Sequence, residues 1–360
     1  MNPFLLTEVL VRSVRWPLRR PFVTALGRKS FSDNVLVQVR LRDGVEGWGE
    51  ASSSLAMSWQ TGPKMAAALR RLGKRFQGRD VRDFPSIVRE AWRLEPDMPT
   101  AVAAFEGALV DAFCRREGIP FFKYFGGDRR ELKTLMSVSA VPPEQVSVRI
   151  RAGRRAGFDG FKLKLNGGEP ADLNRERVRA AHQAAPRAKL LLDPNQSYRP
   201  ETLEALLAAL IRDGIPVTLV EEPFPKKDWA ALRTFRRRSR FPVLLDESVQ
   251  TPADSLKAAR ENLSDGVNVK LAKSGLFRAK KIVDAFSSRN SRPTFMIGCM
   301  AESKVGLAAA AQFAMGLGIF HYADLDSDLL LKPLPIRGGY IRRGPWLTLP
   351  KRDVPGLGIS

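Results

Sequence analysis

The sequence predicts an α/β fold: a closed parallel barrel of strand–helix repeats carrying an α+β cap. Three observations predict it. From residue 136 onward, short apolar runs alternate with amphipathic stretches at a period of about 25 to 30 residues, as repeated βα units require. The first 130 residues lack that repeat and read as antiparallel strands followed by a helix. At 360 residues and 44% hydrophobic, the chain is long enough for one large core and a smaller one.

Taken in order, "NVLVQVRLRDGVEGWGEAS" alternates apolar residues on either side of an Asp43-Gly44 turn signal, which predicts a meander. "PTAVAAFEGALVDAFCRREG" repeats at the helical period and is expected to stop at Gly118. Eight strand-like runs follow, at 136–140, 160–165, 189–193, 217–222, 242–247, 266–271, 293–298 and 319–326. Between them lie helix-like segments such as "PEQVSVRIRAGRRAG", "ETLEALLAALIRDG", "PADSLKAARENL" and "ESKVGLAAAAQFAMGLG", several opening with Pro, Glu or Asp and closing with Gly. Eight units of this length suit a closed barrel better than an open doubly wound sheet. Residues 1–130 are expected to form the cap and 131–334 the barrel, with the Pro-bounded, strand-like residues from about 335 to 360 packing back on the cap.

Composition narrows the function. No 18-residue apolar span is present, and Glu8, Arg12 and Arg15 interrupt the opening apolar run, so neither a membrane helix nor a signal peptide is supported and a cytoplasmic location is expected. Two cysteines, Cys114 and Cys299, make no disulfide framework, and two histidines, His182 and His321, make no histidine-rich metal site. A metal here must be held by oxygen. The net charge of +21 is spread over nearly every helix-like segment without aromatic interleaving, which favours a solvated basic surface over nucleic-acid binding.

Charged residues recur where the strands end. Lys164, Asp193, Glu221, Asp246 and Lys270 fall late in consecutive strand-like runs, separated by 29, 28, 25 and 24 residues. The C-terminal strand ends of a parallel barrel form one face, the face that carries catalytic groups. A lone acidic residue at a strand end is an ordinary helix cap. Three on adjacent strands concentrate negative charge and call for a cation, and an all-oxygen set suits Mg²⁺. Strands two and six lie four apart on a ring of eight, so Lys164 and Lys270 should face each other across the mouth. A lysine near a cation and partly desolvated has a lowered pKa and can abstract a proton α to a carboxylate. Return of a proton on the opposite face then inverts the carbon. Lys162 alternates with Lys164, shares its facing one layer deeper, and should depress its neighbour further; the alternative is a side chain snorkelling to solvent. Lys273 is expected in the following loop, solvated or supporting.

"KLK" on a strand, then "DPN", "VEEP", "DES" and "VNVKLAKSG" in that order, with "GWGEAS" in the cap, resemble the muconate-lactonising subgroup of the enolase superfamily over essentially the whole chain. The resemblance implies a modified TIM barrel, (β/α)7β, with an α+β capping domain. It also implies Mg²⁺ on Asp193, Glu221 and Asp246 and paired bases at Lys164 and Lys270. "YADLDSD" is similar to the DxD of the dipeptide epimerases, which would put Asp324 and Asp326 on the α-ammonium of a dipeptide. Ser137 and Lys162 join the substrate contacts, and Asn195 and Glu302 the supporting set. In the Ala-Glu-specific members a cap-loop arginine reads the glutamate; here Gly27 takes that place, with Arg28 next to it. Ala301 resembles a side-chain pocket residue small enough to admit a bulkier second residue, and Ser274-Gly275 replaces the usual Gly-Gly. The expected protein is a Mg²⁺-dependent dipeptide epimerase acting on a small-molecule substrate, with homo-oligomerisation open. N-acylamino acid racemase, succinylbenzoate synthase, muconate-type cycloisomerase and a non-catalytic basic binding protein stand as alternatives.

Overall fold

A computed structural model of the chain describes residues 2–127 and 129–360. Its first three strands, β1 (Leu6–Thr24), β2 (Gly27–Leu41) and β3 (Glu46–Ala51), form an antiparallel meander in that order. Gly44, at φ +88°, makes the turn into β3 that Asp43-Gly44 signals. Three helices, Gly62–Phe76, Phe84–Leu94 and Pro99–Arg116, complete the cap. The third is buried on almost every side, because one face meets β3 and another meets the barrel helix Leu271–Ser287. Its contact with β3 works only through glycine. A Cβ on Gly49 would lie 2.0 Å from the backbone oxygen of Ala104, and one on Gly47 would lie 2.2 Å from that of Ala108. Backbone cannot yield as a side-chain tip can. We therefore expect Gly49→Ala to destabilise the protein by about 2 kcal/mol or more, read as a fall in the denaturant midpoint; an unchanged midpoint would show that the helix can move away.

After β4 (Glu131–Lys133) come eight parallel strands in strict spatial order: β5 (Met136–Val138), β6 (Gly160–Lys164), β7 (Lys189–Asp193), β8 (Leu219–Glu221), β9 (Val243–Leu245), β10 (Gly266–Lys270), β11 (Thr294–Gly298) and β12 (Tyr322–Asp324). Helices lie in the seven gaps between them, giving (β/α)7β rather than eight full units. The sheet closes where β12 meets the start of β5. There Leu135 N donates to Ala323 O at 2.8 Å, and the side chains of the DxD segment do the rest: Ser137 N donates to Asp326 Oδ2 at 2.6 Å and Ser137 Oγ to Asp324 Oδ1 at 2.8 Å. Several strands are shorter than their apolar runs, since β8, β9 and β12 are three residues each. Asp246 consequently stands one residue beyond its strand rather than ending it.

Strands β13 (Ile341–Arg343) and β14 (Trp346–Thr348) pair with β4 in a small antiparallel sheet, and residues 356 and 357 bond to cap backbone at Ile119 and Phe121 and to the Asp111 carboxylate. Two cap carboxylates reach the barrel. Glu50, at the end of β3, accepts from Ser303 N and Oγ at 2.9 and 2.6 Å and from Gly306 N at 3.1 Å, capping helix Lys304–Leu317. Glu106, in helix Pro99–Arg116, accepts from Leu276 N at 3.1 Å and Phe277 N at 2.8 Å, where the helix after β10 restarts past a kink. Gly275 makes that kink at φ +67°, and a Cβ there would meet the Glu106 carboxylate at 1.9 Å. The second position of the usual Gly-Gly is therefore the one that cannot change; Ser274 fits, its Oγ donating to Lys270 O at 3.3 Å.

Candidate active site

The alternation that makes a strand also builds the site. Every second residue of a barrel strand points inward. The lower inward layer is apolar, with Leu135, Leu191, Leu219, Leu244 and Met296 packed as one cluster. Two residues beyond Leu191, Leu219 and Leu244 come Asp193, Glu221 and Asp246, each at most 1% exposed. The register pairs Lys164 with Asp193 and Lys162 with Leu191, so Lys162 starts one layer lower, as alternation requires. The chain leaves β7 and β8 through left-handed residues, Asn195 at φ +45°, Gln196 at +69° and Glu222 at +36°, a strained turn of the kind found at functional sites.

In that buried layer each carboxylate faces ammonium groups. Lys164 Nζ is paired with Asp193 Oδ2, and Lys162 Nζ lies 3.4 Å from the same oxygen. Lys270 Nζ is 2.5 Å from Asp246 Oδ2, and Lys273 Nζ bonds the other oxygen of Asp246 and, at 2.6 Å, its backbone carbonyl. Lys162 does not snorkel. It is 1% exposed, lies 3.1 Å from Glu221 Oε2 and is paired with Asp324, so one amine joins the strand-end carboxylates to the seam of the barrel. Lys273 is likewise buried in the first turn of its helix rather than solvated in a loop, because Asp246 sits directly above it. Among the described residues no three His, Cys, Asp or Glu side chains close around one point, since the ammonium groups lie between the carboxylates.

Burial and pairing set the protonation. Burial pushes Glu221 up to about 7 against the pull of Lys162. Burial would raise Asp246 too, but Lys270 and Lys273 outweigh it and hold Asp246 well below the carboxylate range. Burial lowers Lys270, yet Asp246 holds it above the ordinary amine value. Asp326 is pushed up to about 7 by burial and by Asp324.

Lys164 and Lys270 both line one cleft of about 780 Å³ between the barrel mouth and two cap loops. The same cleft is lined by Ser137, Asn195, Ala301, Asp324 and Asp326, with Leu18, Phe22, Leu26, Leu55, Met300 and Leu330 as apolar wall. Phe22 stands 6.0 Å from the Lys164 amine. Six sequence candidates lie outside that lining. Lys162 and the metal-candidate carboxylates are below the floor; Arg28 is on the exposed side of the β1–β2 hairpin; Glu302 is buried at the cap–barrel seam beside Glu50, raised to about 8 by burial and that neighbour. Alternation explains Arg28, because its neighbour Lys29 is the residue that faces in.

Sequence reasoning passed over Glu222, Glu247, Asn268 and Lys29. Glu222 and Glu247 follow metal-candidate residues in "VEEP" and "DES", and that doubling of acids was the available signal. Glu222 accepts from Asp246 N at 2.6 Å, and Asn268 Nδ2 donates to Glu221 Oε1 at 2.7 Å, so both orient the strand-end carboxylates. Buried oxygens of Asn195 (Oδ1) and Glu247 (Oε2) have no hydrogen-bond donor among the described residues. A set of unbonded oxygens beside three carboxylates suits a hard cation.

Residues 6–126 match the model of the mandelate racemase / muconate lactonizing enzyme N-terminal domain, and residues 145–360 match the enolase C-terminal domain-like family. Over 359 residues the chain is 34% identical to the aromatic dipeptide epimerase of Herpetosiphon aurantiacus, covering 99% of each. It is 32% identical over 370 residues to the hydrophobic dipeptide epimerase of Citrifermentans bemidjiense, covering 99% of this chain and 98% of the relative. A solved dipeptide epimerase from Enterococcus faecalis V583, complexed with Mg and the dipeptide L-Leu-L-Tyr, is similar at a TM-score of 0.93 and 27% identity, covering 99% of each chain.

Proposed function

The chain belongs to the mandelate racemase / muconate lactonizing enzyme family of the enolase superfamily, and from that premise we propose that it is a Mg²⁺-dependent dipeptide epimerase. It inverts the α-carbon of the C-terminal residue by a two-base 1,1-proton transfer through an enediolate. The observation that carries this reading is a single cleft holding Lys164 and Lys270, from strands four apart on the ring, with Asp324 and Asp326 on the seam between them.

Asp193, Glu221 and Asp246 would hold Mg²⁺, with Asn195 and Glu247 beside them. Bound there, the ion supplies positive charge for the substrate carboxylate and for the negative charge that develops when the α-proton leaves. The rest is the work of the chain's own groups. One lysine, neutral, removes the α-proton; the other, protonated, delivers a proton to the opposite face; exchange of roles runs the reverse reaction. Asp326 commits Oδ2 to Ser137 N and offers its remaining oxygen to the substrate ammonium, while Asp324, held by Lys162 and Ser137, adds charge behind it. Apolar walls and the small Ala301 favour dipeptides with apolar side chains. Two free cysteines, and among the described residues no helix long and apolar enough to cross a membrane, agree with a cytoplasmic location.

Pooled L,L-dipeptides incubated with protein and Mg²⁺ in D₂O test this by mass spectrometry. Gain of about one dalton at the C-terminal α-carbon of apolar dipeptides, abolished by chelator, is the expected result. Exchange on N-acylamino acids alone would overturn the dipeptide reading, and exchange untouched by chelation would overturn the metal.

A further inference from the structure

Gly27 occupies the position where a cap arginine would read an acidic side chain, yet Lys29 puts an ammonium on the cap wall of the cleft two residues later. Whether that ammonium reads a substrate is decided by its bonds. Its Nζ donates to Ser53 O at 2.6 Å, Ser53 Oγ at 2.9 Å and Ser32 Oγ at 3.1 Å. An ammonium has three hydrogens, and all three are used. A substrate carboxylate could gain one only by releasing one of these acceptors.

The bonds join two stretches of cap. Lys29 belongs to the β1–β2 hairpin, whose apex carries Leu26; Ser53 opens the loop that carries Leu55 and Ala56, and all of them line the cleft. The apex rests on that loop, since a Cβ on Gly27 would be 3.8 Å from Leu55. Buried partners extend the connection into the barrel. Ser32 Oγ donates to Asn34 Oδ1 at 2.6 Å, Ser53 N donates to the same oxygen at 3.2 Å, and Asn34 Nδ2 donates to Ala301 O at 2.9 Å. Ser52 Oγ reaches the same carbonyl at 3.2 Å. Ala301 and Met300, on the loop after β11, form the facing wall. Burial brings the Lys29 amine down to about 8, with Asp33 opposing, as befits a group enclosed rather than presented to solvent.

We propose that Lys29 is a positioning residue for side-chain specificity, clamping the hairpin to the Ser53 loop so that Leu26 and Leu55 form a fixed apolar wall. The inference rests on the dipeptide reading above. Its test compares Lys29→Met and Lys29→Arg with the unmodified protein on L-Leu-L-Leu, L-Ala-L-Ala and L-Ala-L-Glu, reading kcat and KM separately. Lys29→Met is expected to raise KM for L-Leu-L-Leu about tenfold, with kcat within about twofold, and to change L-Ala-L-Ala far less; Lys29→Arg, which keeps charge and donors, should recover most of the loss. If Lys29→Met does not fold, Ser53→Ala removes one acceptor and keeps the backbone one, and should raise the same KM about threefold. Unchanged KM for L-Leu-L-Leu, an equal loss on all three dipeptides, or a selective loss of L-Ala-L-Glu would each overturn the proposal. Unmodified protein inactive on every dipeptide would overturn the dipeptide reading and this one together, whereas active protein indifferent to Lys29→Met overturns this one alone.

Discussion

Lys270→Ala and Lys164→Ala are each expected to lower kcat/KM for epimerisation by about a thousandfold or more, within the range measured for removal of a general acid or base. The fold should survive both. Asp246 keeps Lys273 when Lys270 is lost, and Asp193 keeps Lys162 when Lys164 is lost, so neither change strands a buried carboxylate without a counter-charge. The two variants should differ in a way that a structural defect would not produce. With one lysine left, the substrate epimer whose α-proton faces that lysine still exchanges deuterium from solvent, while the other epimer does not, and neither inverts. The lysines should divide the two epimers between them. Full epimerase activity in Lys164→Ala, or exchange of both epimers in both variants, would sink the two-base mechanism.

Asp326→Asn should reduce kcat/KM for free dipeptides about 10- to 100-fold through KM, as expected for loss of a charge-assisted contact to an ammonium in a buried site. Asparagine keeps an oxygen for Ser137 N, so the barrel seam is retained. An N-acetylated dipeptide, which has no ammonium, should lose far less. The pH profile adds a second reading. Because burial and Asp324 push Asp326 up to about 7, its ionised form prevails above that pH and is lost as pH falls through it. Binding of free dipeptides should therefore weaken on the acid side of 7, and that limb should be missing in Asp326→Asn. Persistence of the limb would assign it to another carboxyl.

The barrel was legible because its apolar runs repeat and because inward charges at strand ends cannot be hidden from a period of two. Lys164, Asp193, Glu221, Asp246 and Lys270 follow from that period alone. Their partners do not. Lys273 lies in a helix rather than the expected loop, because a three-residue offset past a strand does not distinguish the two and only the fold brings its amine to Asp246. Alternation places Lys162 one layer below Lys164, but no local pattern signals that its amine reaches Asp324 across the closed seam. The apolar frame points to Arg28 because it fixes position only to within a residue, and one residue on a strand reverses the face, so that Lys29 is the one lining the cleft. Long-range partners such as Asn34 with Ala301, 267 residues apart, have no local signature.

Glu50 and Glu106 bear on how such proteins diversify. Each belongs to the part of the chain that supplies the specificity loops, and each completes the start of a helix in the part that supplies the chemistry. A cap borrowed from a relative would have to bring an acid to the same two places, or leave Ser303, Gly306, Leu276 and Phe277 with bare amides. Inheritance of new selectivity is thus channelled into the tips of the hairpin and the Ser53 loop, which can vary residue by residue while the cap as a block is tied to the barrel it arrived with.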